Sequence, residues 1–182
     1  MSDTKKVFVI GGTCGTGKST IAERLCEILR QEDPTQPGYE FVEGDLLHPI
    51  ENIKKMTSSI PLTDDDRWGW LEKVSDKGYS KADQFGSCII TCSSLKKKYR
   101  DFIRERHPDC RFIFFILYGT KEEIIKRVVH RESHFMKSDM VDSQFRDLEL
   151  PQEDEADSII VNVTGRTPEE VTQEVFHHVK GL

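Results

Sequence analysis

The stretch Gly12-Thr13-Cys14-Gly15-Thr16-Gly17-Lys18-Ser19 matches the pattern G-x-x-x-x-G-K-[ST] at every defined position. An apolar run at residues 7–10 precedes it, and apolar residues at helical spacing follow it from residue 21 to residue 29. In this strand–loop–helix context, backbone N–H groups surround phosphate oxygens at the positive end of a helix. The stretch therefore predicts a nucleoside triphosphate site, and the alternative is a plain glycine-rich turn.

Three side chains of this phosphate loop (residues 12–19) are interpreted individually. Lys18 is predicted to reach the β- and γ-phosphates as a catalytic residue, and Ser19 is predicted to bind Mg²⁺. Cys14 is interpreted as a tolerated small residue, with a redox role as the alternative. The residues expected to contact the nucleotide here are Gly12, Thr13, Cys14, Gly15, Thr16, Gly17, Lys18, Ser19 and Thr20.

The composition indicates one ordinary globular domain, residues 1–182, with 32% charged and 36% hydrophobic residues. No stretch approaches the roughly 20 apolar residues of a membrane span, and the N-terminus lacks the apolar region of a signal peptide. The five cysteines predict free thiols in a reducing, cytoplasmic setting. The net charge of −6 argues against nucleic-acid binding.

Strand and helix patterns alternate along the chain. Strands are predicted at residues 6–10, 39–43, 87–92, 111–117 and 158–163. Helices are predicted at residues 17–31, 49–58, 64–81, 94–106, 120–131 and 167–180, with a short one near 139–148. Helix caps are expected at Thr63, Ser94, Thr120 and Thr167. The alternation predicts an α/β fold, a mostly parallel sheet with helices on both faces and an active site at the carboxyl ends of its strands.

Asp45 follows the second predicted strand, where its carboxylate can face the phosphate loop. It can accept a proton from an attacking hydroxyl and help to hold Mg²⁺, because no acidic residue ends the third or fourth strand. An ordinary turn residue is the alternative. His48 is either a substrate contact or a cap for the helix that follows it.

Three basic side chains are expected to form a site for an anionic substrate. Lys96 and Arg100 are four residues apart and share one helix face. In the alternative interpretation this region is a solvated helix face, on which the neighbouring Lys97 pairs with Asp101. Arg67 has the forked donors that suit a carboxylate or a phosphate. One carboxylate and several cations together favour a polyhydroxylated acid as the acceptor.

A lid is predicted at approximately residues 127–150. Arg127 and Arg131 share a helix face, where they can bring positive charge to the transferring phosphoryl group. The alternative is a basic helix end that interacts with its own dipole.

At these residues the chain closely resembles the gluconokinases, which are P-loop small-molecule kinases, and the resemblance covers essentially the whole sequence. The matching motifs are Gly44-Asp45-Leu46-Leu47-His48-Pro49 with Asn52, Lys55 and Met56; Pro61-Leu62 with residues 64–67 and Trp70-Leu71; Cys92-Ser93 with Leu95-Lys96-Lys97 and Tyr99-Arg100-Asp101; His134-Phe135; and Ser143-Gln144-Phe145 with Leu148-Glu149 and Pro151.

This resemblance implies ATP-dependent phosphorylation of D-gluconate at its 6-hydroxyl, giving 6-phosphogluconate for the pentose phosphate pathway. It also implies sheet order 2-3-1-4-5, ATP and Mg²⁺ as cofactors, and a homodimer. Asp45 becomes the base, Arg127 and the catalytic Arg131 become lid residues, and Thr164 lies near adenine. The expected substrate contacts are Asp45, His48, Arg67, Lys96, Arg100 and His134, and the expected metal ligands are Ser19 and Asp45. Two alternatives are a kinase for another small polyhydroxy acid and a non-catalytic nucleotide-dependent switch.

Overall fold

Five parallel strands form a sheet at the centre of the molecule. In the computed structural model, which describes residues 4–35, 39–130 and 138–182, they are β1 Lys5–Gly12, β2 Glu40–Glu43, β3 Ser87–Thr91, β4 Cys110–Tyr118 and β5 Ser158–Asn162. Their order across the sheet is β2-β3-β1-β4-β5, and every pairing is parallel. The predicted fold class and strand order are confirmed.

Helices fill the connections between the strands. They are α1 Lys18–Glu32, α2 Ile50–Thr57, α3 Asp64–Phe85, α4 Lys97–Arg106, α5 Lys121–Val129, α6 Ser138–Asp147 and α7 Pro168–Lys180. A short 3-10 turn, Gly44–Leu47, joins β2 to the segment before α2. Among the described residues, no helix combines the length and the apolar character that crossing a bilayer requires.

Apolar side chains cover both faces of the sheet, as the central strand β1 shows. Phe8 and Ile10 belong to a core shared with α1 and α7, whereas Val7 and Val9 belong to a core shared with α3 and α4. None of these four side chains is more than 2% exposed. Burial on both faces explains why the strands read as nearly continuous apolar runs.

Three of the four expected helix caps are observed. The hydroxyl of Thr63 accepts the N–H of Asp66, and the hydroxyl of Thr167 accepts the N–H of Glu170, each within a reciprocal capping box. The hydroxyl of Thr120 accepts the N–H of Glu123 at the start of α5. These caps fix the first turns of three helices that border the cleft side of the sheet.

The prediction of Ser94 as the cap of α4 is wrong. Lys96 is the N-cap residue, and the N–H of Lys97 donates to Glu149 Oε1 at 3.0 Å. Ser94 is instead buried, with a left-handed backbone at φ 48°. A carboxylate 52 positions away along the chain does the capping, so no local pattern marks the start of this helix.

Candidate active site

The phosphate loop connects β1 to α1 through a tight backbone path. Gly15 and Gly17 have φ angles of 81° and 90°, in the left-handed region that favours glycine. Lys18 is the first residue of α1, and its Nζ donates to the carbonyls of Gly12 at 3.2 Å and Thr13 at 2.9 Å. The loop therefore has the backbone form and the lysine that phosphate binding requires.

Two cavities lie on either side of this loop. The first, of about 350 Å³, is bordered by Lys18 and Ser19 on the loop side and by Asp45 and Arg67 opposite. The second, of about 330 Å³, is bordered by other residues of the loop and by side chains near the start of α7. Since Gly15, Gly17 and Thr20 border both cavities, a ligand held by the loop can extend into each of them.

Glu43 places a carboxylate against the loop, and the sequence reasoning missed it. Glu43 ends β2 and accepts a hydrogen bond from the Ser19 hydroxyl. Its other oxygen accepts from Thr91 Oγ1 at 2.5 Å, because β2 and β3 pair Glu43 with Thr91. Asp45 is the carboxylate that the sequence predicts for Mg²⁺, and Glu43 stands two residues before it. The available signal was that Glu43 is the last residue of a strand beside the loop.

Gly44 fixes the direction of the chain between Glu43 and Asp45. A Cβ atom at Gly44 would lie 1.8 Å from the carbonyl oxygen of Thr91, so only glycine fits. Its N–H donates to Thr91 Oγ1 at 3.0 Å, and its carbonyl accepts from Trp70 Nε1 at 2.8 Å. The next residue, Asp45, is exposed and borders the first cavity, where the sequence analysis expected it.

His48 borders the same cavity and is 8% exposed. Its ring stacks on Trp70 with centroids 4.0 Å apart, and Asn52 Nδ2 donates to its Nδ1 at 3.1 Å. That contact assigns the proton of the neutral ring to Nε2. Burial, together with the charge of Arg67, lowers the pKa of His48 from 6.5 to about 4. The ring is therefore a neutral hydrogen-bond donor near pH 7.

Arg67 is 6% exposed and faces the first cavity from α3. Its Nη1 donates to Tyr99 Oη at 2.7 Å and to Asp147 Oδ2 at 3.0 Å. Within the part of the chain that the structure describes, its hydrogen bonds use only this nitrogen. Nε and Nη2 remain available for an anionic ligand, which agrees with the predicted role.

Lys96 lies beside this arginine but faces protein carboxylates. Its Nζ is 3.0 Å from Asp64 Oδ1 and 3.9 Å from Asp147 Oδ1. Asp64 also accepts hydrogen bonds from Lys98 and Tyr99, and these partners hold the pKa of its carboxyl well below its usual range. The anion that these lysines face in the structure is therefore Asp64.

Arg100 is not placed as the sequence analysis expected, because its side chain is fully buried. Nε and Nη2 bind the carboxylate of Glu155 at 2.9 and 2.7 Å, and Nη2 also donates to the Glu149 carbonyl at 3.0 Å. Nη1 donates to the carbonyls of Ser94 and Leu95 at 2.8 and 3.3 Å. All five N–H donors of a guanidinium are thus used inside the protein. The expected contact of Arg100 with substrate is corrected to a structural role.

The two predicted nucleotide contacts beyond the loop, Arg127 and Thr164, lie near each other, since Arg127 contacts the residue before Thr164. Arg127 borders the second cavity, and its Nη2 donates to the Val163 carbonyl at 2.9 Å. Thr164 Oγ1 accepts the N–H of Thr120 at 3.0 Å and so ties the loop after β5 to the start of α5. Arg131 and His134 lie outside the described residues, and so does part of the predicted lid at 127–150.

A second contact that the sequence reasoning missed comes from α6. Gln144 Oε1 accepts the backbone N–H of Cys14, in the phosphate loop, at 2.6 Å. The same helix ends with Asp147, the partner of Arg67. The two ends of the Gln144 contact are 130 positions apart, so only the fold reveals it.

Comparisons with known proteins identify relatives that match most of the chain. No family model matches the chain. It is 49% identical over 179 residues to a probable gluconokinase of Saccharomyces cerevisiae, covering 96% of this chain and 91% of the relative. It is 38% identical over 157 residues to the thermoresistant gluconokinase of Escherichia coli, with 86% and 84% covered.

Solved structures give the same result. The crystal structure of a gluconokinase from Sinorhizobium meliloti matches with a TM-score of 0.80 and 34% identity, covering 98% of this chain and 93% of that one. An APS kinase of Mycobacterium tuberculosis, at 15% identity and a TM-score of 0.64, shares the fold alone, with 97% and 98% covered. From these identities and coverages, the chain belongs to the gluconokinase family.

Proposed function

We propose that this protein transfers the γ-phosphoryl group of ATP to the 6-hydroxyl of D-gluconate, giving 6-phospho-D-gluconate for the pentose phosphate pathway. One observation carries the proposal: Lys18, Ser19, Asp45 and Arg67 border one cavity of about 350 Å³. The same cavity then holds a site for the phosphoryl donor, a carboxylate that can accept a proton from the substrate hydroxyl, and a guanidinium that can bind the substrate carboxylate. Membership of the gluconokinase family supports gluconate as the acceptor.

On the donor side, the phosphates lie in the loop and the adenosine extends into the second cavity. Residues 12–20 supply backbone N–H groups to the phosphates, and Lys18 contacts the β- and γ-phosphates. Arg127 borders the second cavity, where the base and ribose are accommodated. Thr164 holds the neighbouring loop in place through its contact with Thr120.

The oxygen donors beside the loop fit Mg²⁺. Ser19 offers a hydroxyl, and the carboxylate of Glu43 accepts a hydrogen bond from that hydroxyl, with Asp45 bordering the same cavity. Mg²⁺ is usually held by one or two carboxylates together with substrate phosphates, and bound there it neutralises charge that develops on the β- and γ-phosphates.

On the acceptor side, Asp45 takes the proton of the 6-hydroxyl as that oxygen attacks the γ-phosphorus in line and ADP leaves. Arg67 binds the gluconate carboxylate through Nε and Nη2. His48 donates from Nε2 to a substrate hydroxyl, and Lys96 adds positive charge nearby. Arg131 and His134 belong to the lid at 127–150 in this proposal, with Arg131 at the transferring phosphoryl group.

The proposal includes a cytoplasmic homodimer. None of the five cysteines, all of which lie in described residues, forms a disulfide, and all five are buried, which suits a reducing compartment. The resemblance to gluconokinases supports the dimer. Light scattering on the purified protein tests it, and a monomeric mass across the working concentration range would contradict it.

The first test is ADP release from Mg·ATP with a panel of acceptors: gluconate, other aldonates, shikimate and nucleoside monophosphates. We expect turnover that strongly favours gluconate, and we expect Lys18→Ala to abolish it. Preference for another aldonate would support the alternative of a related sugar-acid kinase. Nucleotide binding without turnover on any acceptor would support a non-catalytic switch instead.

A further inference from the structure

Helix α6 contacts both substrate sites with two side chains one turn apart. Gln144 Oε1 accepts the Cys14 N–H of the phosphate loop at 2.6 Å. Asp147 Oδ2 accepts from Arg67 Nη1 at 3.0 Å on the acceptor side of the first cavity. Residues at i and i+3 share a helix face, so one rigid element carries both contacts.

In each contact, a side chain of α6 provides a hydrogen-bond acceptor of the same kind that a substrate would provide. The N–H groups of a phosphate loop bind phosphate oxygens, and the amide oxygen of Gln144 uses one of them. A guanidinium binds carboxylates, and the carboxylate of Asp147 uses part of Arg67. Gln144 thus competes with the phosphoryl donor, and the negative charge of Asp147 at Nη1 opposes the binding of an acid group at Nε and Nη2 of the same guanidinium.

We propose that α6 couples the two substrate sites, because the displacement that takes Gln144 off the loop also withdraws the charge of Asp147 from Arg67. The proposal rests on the proposed function for the identity of the acceptor. Binding of ATP removes Gln144 from the loop and moves α6, which weakens the hold of Asp147 on Arg67. Gluconate then binds more tightly, and by linkage gluconate raises the affinity for ATP by the same factor.

The packing of α6 supports movement as one unit. Met140 and Val141 are buried on the inner side of the helix, at 3% and 0% exposure. Asp142 pairs with Lys121 of α5 at 2.6 Å, which anchors the opposite side of the helix. A helix that is packed along its length transmits a displacement at residue 144 to residue 147, whereas a loop would absorb it.

The test is the affinity for Mg·AMP-PNP, a non-hydrolysable nucleotide, measured by isothermal titration calorimetry without any acceptor. Gln144→Ala removes the competing acceptor and is expected to tighten nucleotide binding by about three- to tenfold. Asp147→Asn changes a side chain that contacts Arg67 and not the phosphate loop, yet it is expected to tighten nucleotide binding by about two- to fivefold. Gln144→Asn, which keeps the amide but shortens its reach, is expected to behave like Gln144→Ala.

The matched control is Asp65→Asn, which removes the same charge from an exposed position two residues before Arg67. Asp147→Asn must exceed this control, since both changes make the region less negative. A nucleotide affinity of Asp147→Asn equal to that of Asp65→Asn would overturn the coupling. If gluconate failed to bind or react, the proposed function would fall, while these nucleotide measurements would still decide the inference.

Discussion

The donor and acceptor halves of the cleft are built in different ways. The donor half is a continuous stretch, residues 12–19, whose backbone N–H groups and one lysine are the proposed phosphate ligands. The acceptor half takes side chains from the turn after β2, from α3 and from α6, and its Arg67–Asp147 contact spans 80 positions. A site made of backbone can be recognised from a short motif, whereas a site made of side chains depends on the whole fold.

This difference predicts that the two halves can be damaged separately. A change on the acceptor side should spare nucleotide binding, except where α6 connects the halves. The predictions below test this separation, from the largest expected effect to the smallest.

Asp45→Asn is expected to lower kcat by about 10²- to 10⁴-fold, because it removes the proton acceptor for the attacking hydroxyl. The affinity for Mg·AMP-PNP should stay within about twofold of the native protein. Steady-state assays and calorimetry measure the two quantities. Parallel loss of turnover and nucleotide binding, with Asp65→Asn unaffected, would show that the two halves are not separable.

Arg100→Met is expected to lower the free energy of unfolding by about 3–5 kcal/mol, because it leaves the buried carboxylate of Glu155 without its main partner. Urea unfolding at 25 °C measures this effect. The double change Arg100→Met with Glu155→Leu should recover much of the loss. A raised KM for gluconate with unchanged stability would instead show that Arg100 contacts the substrate.

His48 is expected to make stability depend on pH between about 4 and 6.5, the folded and unfolded pKa values of its ring. The folded protein keeps the ring neutral, and the unfolded chain binds a proton below pH 6.5, so acid favours unfolding. The free energy of unfolding is expected to fall by about 3 kcal/mol between pH 6.5 and pH 4. His48→Gln should show a flatter stability profile in urea titrations over this range, and an unchanged slope would refute the assignment.

Arg67→Lys is expected to raise KM for gluconate by about tenfold, with a smaller change in kcat. Lysine keeps the charge but loses the planar fork that binds a carboxylate with two donors. Initial-rate measurements at varied gluconate test this effect, and Asp65→Asn serves as the control. An unchanged KM would place the gluconate carboxylate elsewhere.

The sequence was sufficient for the features that depend on local pattern. The phosphate loop, the alternation of strands and helices and the caps at Thr63, Thr120 and Thr167 follow from residues that are neighbours in the chain. The strand order, in contrast, is implied by the resemblance to gluconokinases. Asp45 was also located correctly at the cavity wall, because the end of a parallel strand defines its place. Local chemistry and sheet topology determine these features.

The remaining errors concern side chains whose partners are distant in sequence. Arg100 is four residues after Lys96, but no residue near it in the sequence indicates that its guanidinium binds Glu155. Glu43 reaches Ser19 only because α1 packs beside β2, and Gln144 reaches the loop only because α6 folds over it. Charge and spacing nominate such residues, and tertiary packing decides what they contact.

The five hydrogen bonds that Arg100 donates, called here the clamp, also determine which segments of this protein can be exchanged with those of a relative. Arg100 and its neighbour Arg104 hold Glu155, and the Leu95 carbonyl accepts the N–H of Glu149 at 2.7 Å. Residues 149–157 are therefore part of the same structural module as α4, although they follow α6 in the chain. A chimera that exchanges α6 with a relative should end the exchanged segment at Asp147, or else include α4 and the clamp together.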